Sequence, residues 1–145
     1  DGPRLAELQE LARGLGVENS VVFTGSVSDE ELPAIYDAMD VFALPTHTRK
    51  LGVDVEGLGI VFLEAAATGV PVLVGRSGGS VDAVKPGVTG ELIELDPAAI
   101  AAEVVGLARD ETKRIAMGRA GREWMVAEWQ WSDRAASVSR LLEAH

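Results

Sequence analysis

The sequence predicts an α/β fold, with a parallel sheet covered on both faces by helices and a helical extension at the C-terminal end. Short, wholly apolar runs at residues 21–24, 41–44 and 70–74 alternate with segments of helical periodicity. Strands that are apolar on both faces are typical of parallel sheets buried between helices. From residue 97 onward the pattern is almost entirely helical, which predicts the extension.

The first three elements follow from local pattern. Leucines recur at helical spacing over residues 3–15, and Gly16 is a natural stop, so we predict a first helix there. The run at 21–24 is predicted to be a strand. Ser28 precedes three acidic residues, which is typical of a helix start, and this helix is predicted to extend through Met39.

The middle of the chain is predicted to contain strands at residues 41–44 and 70–74 with a helix at 59–68 between them. The carboxyl ends of parallel strands meet at one edge of the sheet, where such folds bind ligands. We therefore expect the residues that follow the strands to share one rim. They are Gly25, Thr46 and Gly75.

The remainder is predicted to hold a flexible turn at residues 77–80, a strand at 91–95 and three helices. The helices cover residues 97–109, 111–128 and 132–143, with N-terminal caps at Asp96 and Ser132. Three tryptophans near the last helix are predicted to pack in the core, with stacking on a ligand as the alternative. They are Trp124, Trp129 and Trp131.

The composition indicates one globular domain of 145 residues, with 47% hydrophobic and 25% charged residues. No run approaches the roughly 18 to 20 apolar residues of a membrane span, and the start lacks a signal peptide's apolar segment, so a cytoplasmic location is expected. With no cysteine and two histidines, neither a metal site nor a metal cofactor is expected. The net charge of −10 disfavours nucleic acid and anionic lipid as partners.

The most informative segment is residues 56–64, Glu-Gly-Leu-Gly-Ile-Val-Phe-Leu-Glu, where two carboxylates bracket a Gly-x-Gly turn that opens a helix. Glycines let the backbone approach a ligand closely. The first N–H groups of the helix lack intrahelical partners and carry the positive end of its dipole, so a diphosphate can bind there without a metal. Glu56 would reach one end of a nucleotide sugar, and Glu64 would accept hydrogen bonds from a ribose.

A simpler interpretation of this segment stays open. Asp and Glu are 23 of the 145 residues, so two glutamates at this spacing also arise by chance. The coincidence of the spacing, the glycines and the helix start favours the nucleotide-sugar interpretation.

Five motifs occur in order along the chain: Asp1-Gly2-Pro3, Phe23-Thr24-Gly25, the segment 56–64 followed by alanine, Ala-Thr-Gly-Val-Pro-Val at 67–72, and Gly-Val-Thr-Gly at 87–90. Together they resemble the C-terminal, donor-binding domain of retaining GT-B glycosyltransferases of the glycogen-synthase-like and mannosyltransferase-like group. Within that group, residues 48–59 look most like phosphatidylinositol-monomannoside mannosyltransferases, which use GDP-mannose. The resemblance implies a Rossmann-like fold.

The resemblance implies roles for five residues of the donor site. Glu56 would be the catalytic residue near the donor sugar, either stabilising positive charge on the sugar or positioning it. Glu64 would bind the ribose hydroxyls. The backbone amides of Gly57, Leu58 and Gly59 would face the sugar and the diphosphate.

The base of the nucleotide is expected near the loop after the Phe-Thr-Gly motif, at Gly25, Ser26, Val27 and Asp29. Asp29 would meet the N–H donors of guanine, with helix capping as the alternative. Other charged or polar residues of the 47–50 loop are weaker candidates for contact with donor or acceptor, and solvent exposure is the alternative for them. They are His47, Arg49 and Lys50.

The resemblance also implies that residues 1–145 are a nucleotide-sugar-binding C-terminal domain without its first strand or strands and without the N-terminal acceptor domain. An Arg and a Lys that neutralise the diphosphate in the family would lie before Asp1. We therefore expect this chain alone to be inactive. The acceptor, for example a phosphatidylinositol mannoside, would bind mainly to the other domain, and the whole protein would be peripheral at the inner membrane face.

Three alternatives remain open at this point. One is a glycosyltransferase of the same group that uses a UDP-sugar. Another is a non-catalytic nucleotide-binding module. The third is a structural domain that self-associates through an exposed sheet edge.

Overall fold

The computed structural model describes residues 2–46 and 57–143. They fall into two compact units, residues 1–32 and residues 33–145, and each unit is described by itself.

The first unit starts with helix α1 (Leu5–Gly14), which confirms the predicted first helix. A 3₁₀ turn follows at Glu18–Ser20. The strand predicted at residues 21–24 is wrong, because the structure has no strand there and Val22 is 84% exposed. An apolar run reports a preference for burial, whereas a strand also needs a neighbour that accepts and donates its backbone hydrogen bonds.

Helix α2 (Leu32–Asp37) is shorter than the predicted helix from Ser28 through Met39. Its start is fixed by a reciprocal capping box. The Glu31 carboxylate accepts hydrogen bonds from the Ser28 amide at 3.2 Å and from the Ser28 hydroxyl at 2.8 Å. The Glu31 amide donates in return to the Ser28 hydroxyl oxygen at 3.3 Å. The two hydrogen bonds that the carboxylate accepts from Ser28 lower the pKa of Glu31.

The second unit contains a parallel sheet of three strands in the described residues, β1 (Phe42–Leu44), β2 (Val72–Gly75) and β3 (Gly90–Ile93), in the order β1-β2-β3. Phe42 pairs with Val72, and Leu73 pairs with Glu91. All residues of β2 are buried. Since successive side chains point to opposite faces, β2 is covered on both sides, as predicted.

Helix α3 (Ile60–Ala67) precedes β2. The predicted flexible turn at 77–80 is instead part of a 3₁₀ helix, Gly78–Ala83, so that prediction is wrong. Its fixed shape has a clear cause, because the buried Ser80 hydroxyl donates to the carbonyl oxygens of Gly75 at 2.9 Å and Ser77 at 2.6 Å.

Three helices complete the unit and confirm the C-terminal extension: α4 (Pro97–Arg109), α5 (Glu111–Glu128) and α6 (Trp131–Glu143). Asp96 caps α4 as predicted, accepting a hydrogen bond from the Ala99 amide at 2.9 Å. Ser132 does not cap α6, because the helix already begins at Trp131. The carbonyl of Gln130 accepts the first helical hydrogen bonds, from Asp133 and Arg134 at 3.2 Å.

Two apolar clusters hold the unit together. One joins β2 and β3 to α4 and α5 through Leu73, Ile93, Leu107 and Met117. The other joins α3 to α5 through Ala66, Trp124 and Met125, with Leu63 and Trp129 against it. Helix α5 can approach the end of α3 closely because it carries glycine at the crossing. A Cβ on Gly118 would overlap the carbonyl oxygen of Gly69.

The tryptophan prediction is correct for two of the three residues. Trp124 is buried, and its ring meets that of Trp129 edge-on with 5.6 Å between the centroids. The Lys85 ammonium lies 4.6 Å from the centre of the Trp124 ring and pairs with Glu128 at 2.9 Å, which lowers the pKa of Glu128. Trp131 is 82% exposed, so its predicted place in the core is wrong. Sequence spacing does not distinguish the side of α6 that faces the core.

Candidate functional site

The carboxyl ends of β1 and β2 form a tight rim. Thr46 lies just beyond β1, and a Cβ on Gly75, the last residue of β2, would be 2.6 Å from the Thr46 amide nitrogen. Only glycine allows this approach. The predicted closeness of Thr46 and Gly75 is therefore confirmed, whereas Gly25 belongs to the first unit.

The glycine segment before α3 lies against the same rim. A Cβ on Gly79 would overlap the carbonyl oxygen of Gly57 and would be 3.2 Å from the carbonyl carbon. Gly79 lies in the 3₁₀ helix that follows β2. Two backbone segments without side chains thus meet where α3 is about to begin.

Helix α3 starts at a residue that requires glycine. Gly59 has φ 70° and ψ 57°, the left-handed region that side chains disfavour, and it offers no side-chain cap. Its carbonyl accepts the Phe62 amide at 2.9 Å. The first N–H groups of α3 lack intrahelical partners and carry the positive end of the helix dipole, which is the arrangement that binds phosphate in other proteins.

Glu64 lies on α3, about 7.5 Å beyond Gly59 along the axis at 1.5 Å per residue. Its side chain is half-buried, and the Tyr36 hydroxyl donates a hydrogen bond to its Oε2 at 3.0 Å. Burial, and then the hydrogen bond to Glu64, raises the pKa of Tyr36 to about 12. Tyr36 is therefore a neutral donor at neutral pH.

An aromatic contact series fixes Tyr36 in place. Its ring is 5% exposed and meets Phe42 of β1 edge-on, with 5.5 Å between the centroids. Phe42 in turn meets Phe62 of α3 edge-on at 5.7 Å. The donor to Glu64 is thus held by strand β1 and helix α3 together.

Glu64 also borders a cavity of about 570 Å³. Ile60, Leu63, Glu64 and Ala67 share one face of α3 by their spacing and form one wall. The other lining residues come from before α3, from the end of α5 and from the start of α6: Leu58, Met125, Trp129, Gln130, Trp131 and Arg134. The cavity is an apolar surface with a carboxylate acceptor at its wall.

The structure brings together most of the predicted donor-site residues that it describes in the second unit. Leu58 and Glu64 line the cavity, Gly59 begins α3, and Gly57 lies against Gly79. Glu56, the predicted catalytic residue, lies outside the described residues. So do His47, Arg49 and Lys50.

The predicted base-binding residues belong to the first unit. Gly25 has φ 71° and Val27 is half-buried, while Ser26 and Asp29 are exposed. Helix α2 is capped by Ser28 and Glu31. Contact of Gly25, Ser26, Val27 and Asp29 with a base stays a prediction.

The sequence interpretation missed Tyr36. The sequence offered one signal for it, since Tyr36 is the only tyrosine in the chain and falls within a predicted helix. Its pairing with a glutamate 28 residues away is a tertiary contact that no local pattern encodes.

Two other kinds of feature are absent from the residues that the structure describes. Within residues 2–46 and 57–143 no three His, Cys, Asp or Glu side chains cluster so as to hold a metal ion. In the same residues no helix is both long enough and apolar enough to cross a membrane.

The parallel sheet, its glycine-lined rim and the helix that opens at Gly59 define a Rossmann-like domain of the GT-B type. The sequence model of the family "Glycosyl transferases group 1" matches residues 1–124, and the chain belongs to this family.

Two relatives align with almost the whole chain. The chain is 50% identical over 142 residues to the GDP-mannose-dependent alpha-(1-6)-phosphatidylinositol monomannoside mannosyltransferase of Mycolicibacterium smegmatis, covering 97% of this chain and 37% of that protein. It is 33% identical over 141 residues to the D-inositol 3-phosphate glycosyltransferase of Corynebacterium kroppenstedtii, covering 97% of this chain and 30% of that protein. The chain thus spans about a third of the length of these relatives.

Solved structures share the fold. The sucrose-phosphate synthase of Thermosynechococcus elongatus superposes with a TM-score of 0.84 at 26% identity, over 99% of this chain and 34% of that one. The HepE protein of Anabaena, solved in complex with UDP, superposes with a TM-score of 0.84 at 25% identity, over 97% of this chain and 37% of that one. These comparisons confirm the fold class and the family predicted from the motifs.

Proposed function

We propose that this chain is the part of a retaining hexosyltransferase that binds GDP-mannose, with a lipid-linked or sugar acceptor such as a phosphatidylinositol mannoside bound elsewhere in the longer protein. The observation that carries the proposal is the placement of Glu64. It lies on α3, the helix that Gly59 opens, and its carboxylate accepts a hydrogen bond from Tyr36. The names of the relatives at 47–50% identity support mannose and the lipid acceptor.

The donor would lie along α3. Its diphosphate would accept hydrogen bonds from the amides at the Gly59 helix start, and its ribose would donate to Glu64. Amides preorganised in this way would stabilise the charge that grows on the leaving diphosphate, at about 3 to 4 kcal/mol for each effective donor. No metal is needed for this step, since the helix start supplies the positive potential.

Glu56 would act on the donor sugar, as the catalytic residue or as its positioning group. Gly25, Ser26, Val27 and Asp29 would meet the base. The chain spans 37% of the first relative, and we expect no transfer by this chain alone. Transfer of labelled mannose from GDP-mannose to a lipid extract, above the level of a Glu64→Ala control, would contradict that expectation.

Calorimetric titration with GDP, UDP and ADP tests the donor. We expect binding of GDP in preference to the other two, and markedly weaker but still measurable binding of GDP in Glu64→Ala. Glu103→Gln is the matched control, because it removes one exposed carboxylate from α4, away from α3. Equal binding of all three nucleotides, or an affinity for GDP that Glu64→Ala leaves unchanged, would contradict the proposal.

A UDP-sugar is the second candidate donor. It is favoured by the superposition on HepE, which was solved with UDP. A preference for UDP in the same titration would keep the nucleotide-sugar site and replace the donor.

A further inference from the structure

We propose that Tyr36 is the positioning residue of the ribose-binding carboxylate, holding one oxygen of Glu64 so that the other is presented to a vicinal diol. This inference rests on the proposed function and adds a residue to the same site. Tyr36 itself would not touch the ligand.

The geometry of the pair supports a positioning role. The Tyr36 hydroxyl donates to Oε2 of Glu64 at 3.0 Å, and the pair is 28 residues apart in sequence. A carboxylate has about four lone-pair sites on two oxygens, so one donor leaves Oε1 available as an acceptor. Without a partner, a glutamate side chain on a helix samples several rotamers, and fixing one of them before the ligand arrives reduces the entropy lost on binding.

The surroundings of Tyr36 make it a rigid donor. The side chain is 5% exposed, and its ring contacts Phe42, which contacts Phe62 on the helix that carries Glu64. The elevated pKa keeps the hydroxyl protonated throughout the range in which enzymes work. Glu64 also faces the cavity of about 570 Å³, so a group hydrogen-bonded to its second oxygen has room.

The test is a double-mutant cycle of Tyr36→Phe and Glu64→Ala, read by titration with GDP and with 2′,3′-dideoxy-GDP. Tyr36→Phe keeps the ring and removes only the hydroxyl. We expect it to weaken GDP binding about fivefold, as loss of one orienting hydrogen bond does. We expect no further loss in the Glu64→Ala background, and no change in the affinity for 2′,3′-dideoxy-GDP, which has no diol.

Thr68→Val is the matched control. It also removes one hydroxyl from the second unit, where Thr68 donates to the Ala65 carbonyl at 2.8 Å beyond the last turn of α3. We expect it to leave the affinity for GDP unchanged. A ligand-independent readout is available because Tyr36 is the only tyrosine of the chain. Its single Cζ resonance in a ¹³C-labelled sample should shift in Glu64→Ala and stay in place in Glu103→Gln.

Three results would overturn the inference while leaving the proposed function intact. Tyr36→Phe could bind GDP as the unmodified chain does. It could weaken GDP and 2′,3′-dideoxy-GDP equally, which is the signature of a purely structural role. It could weaken GDP by the same factor with and without Glu64. The proposed function fails in a different measurement, if the unmodified chain and Glu64→Ala bind GDP with equal affinity. That result would overturn the inference as well.

Discussion

A Cβ atom on Gly59 would lie 2.6 Å from Cδ2 of Phe62, a side chain with no exposed surface. The residue that opens α3 is therefore glycine for two separate reasons, the positive φ of its backbone and the ring beneath it. Phe62 contacts Phe42, which contacts Tyr36, the donor to Glu64. The helix start and the carboxylate of the candidate site are thus linked by one packed series of aromatic rings.

Substituting Gly59 should affect both stability and binding. We expect Gly59→Ala to lower the free energy of unfolding by about 3 kcal/mol, from left-handed strain together with displacement of the Phe62 ring. Chemical denaturation measures the stability, and titration with GDP measures the affinity, which should fall in the same variant.

Gly87→Ala separates the two causes. Gly87 also has a positive φ, 76°, but a Cβ there meets nothing within 4 Å. We expect a loss of only about 1 kcal/mol and an unchanged affinity. Equal losses in Gly59→Ala and Gly87→Ala would show that the Phe62 contact contributes nothing.

Close packing of the rim should make Gly79 intolerant of any side chain. A Cβ at this position would overlap the Gly57 carbonyl, so Gly79→Ala should force the glycine segment away from the 3₁₀ helix, at a cost of about 1 to 3 kcal/mol. Gly106→Ala is the control, because it lies inside α4 with nothing within 4 Å of its added Cβ. It should gain about 0.5 to 1 kcal/mol from helix propensity. Urea unfolding of both variants checks the opposite signs.

Trp124 and Trp131 should differ sharply in their contribution to the free energy of unfolding. We expect Trp124→Ala to lose about 3 to 5 kcal/mol of unfolding free energy, because a buried ring, its edge contact with Trp129 and the Lys85 ammonium contact are all removed. Trp131→Ala should stay within about 0.5 kcal/mol of the unmodified chain, since Trp131 is 82% exposed. Comparable losses in the two variants would contradict the placement of Trp131.

Much of the fold was readable from the sequence because the signals were local. Helices α4 and α5 begin where predicted, since Asp96 caps α4, Pro97 is its first residue, and Asp110 caps α5. The failures involve long-range pairing. Residues 21–24 have a strand's composition, but composition does not supply a hydrogen-bonding neighbour. Trp124 lies within α5 and packs against Ala66 of α3, whereas Trp131 is the first residue of α6, a helix that buries no residue.

The candidate site was predictable in part, because some of its signals are local as well. The glycines and Glu64 form a contiguous motif, so the sequence showed both the helix start and the carboxylate on it. Tyr36, Ser80 and Gly79 are brought there by the tertiary fold. Ser80 lies in a segment whose glycines favoured a flexible turn, and only the structure shows the hydrogen bonds that fix it.

The stability should depend on pH through Tyr36. In the folded chain burial and Glu64 raise the pKa of Tyr36 to about 12, against 10.0 for an unperturbed tyrosine. Between these values the unfolded state binds fewer protons than the folded state, so stability falls as pH rises. The contribution is fully present below about pH 10 and is lost by about pH 12. Urea midpoints over this range should therefore fall more steeply for the unmodified chain than for Tyr36→Phe, and parallel curves would contradict the coupling.

The most direct test of the central claim is amide NMR of the ¹⁵N-labelled chain during titration with GDP. If α3 forms the donor site, the largest shifts will fall on the amides of Gly59, Ile60 and Glu64. At the same GDP concentration they will be much smaller in Glu64→Ala and unchanged in Glu103→Gln. Shifts confined to other surfaces, such as the cavity of about 310 Å³ bordered by Gln9, Arg13 and Phe23, would contradict it. So would a spectrum that GDP leaves unchanged.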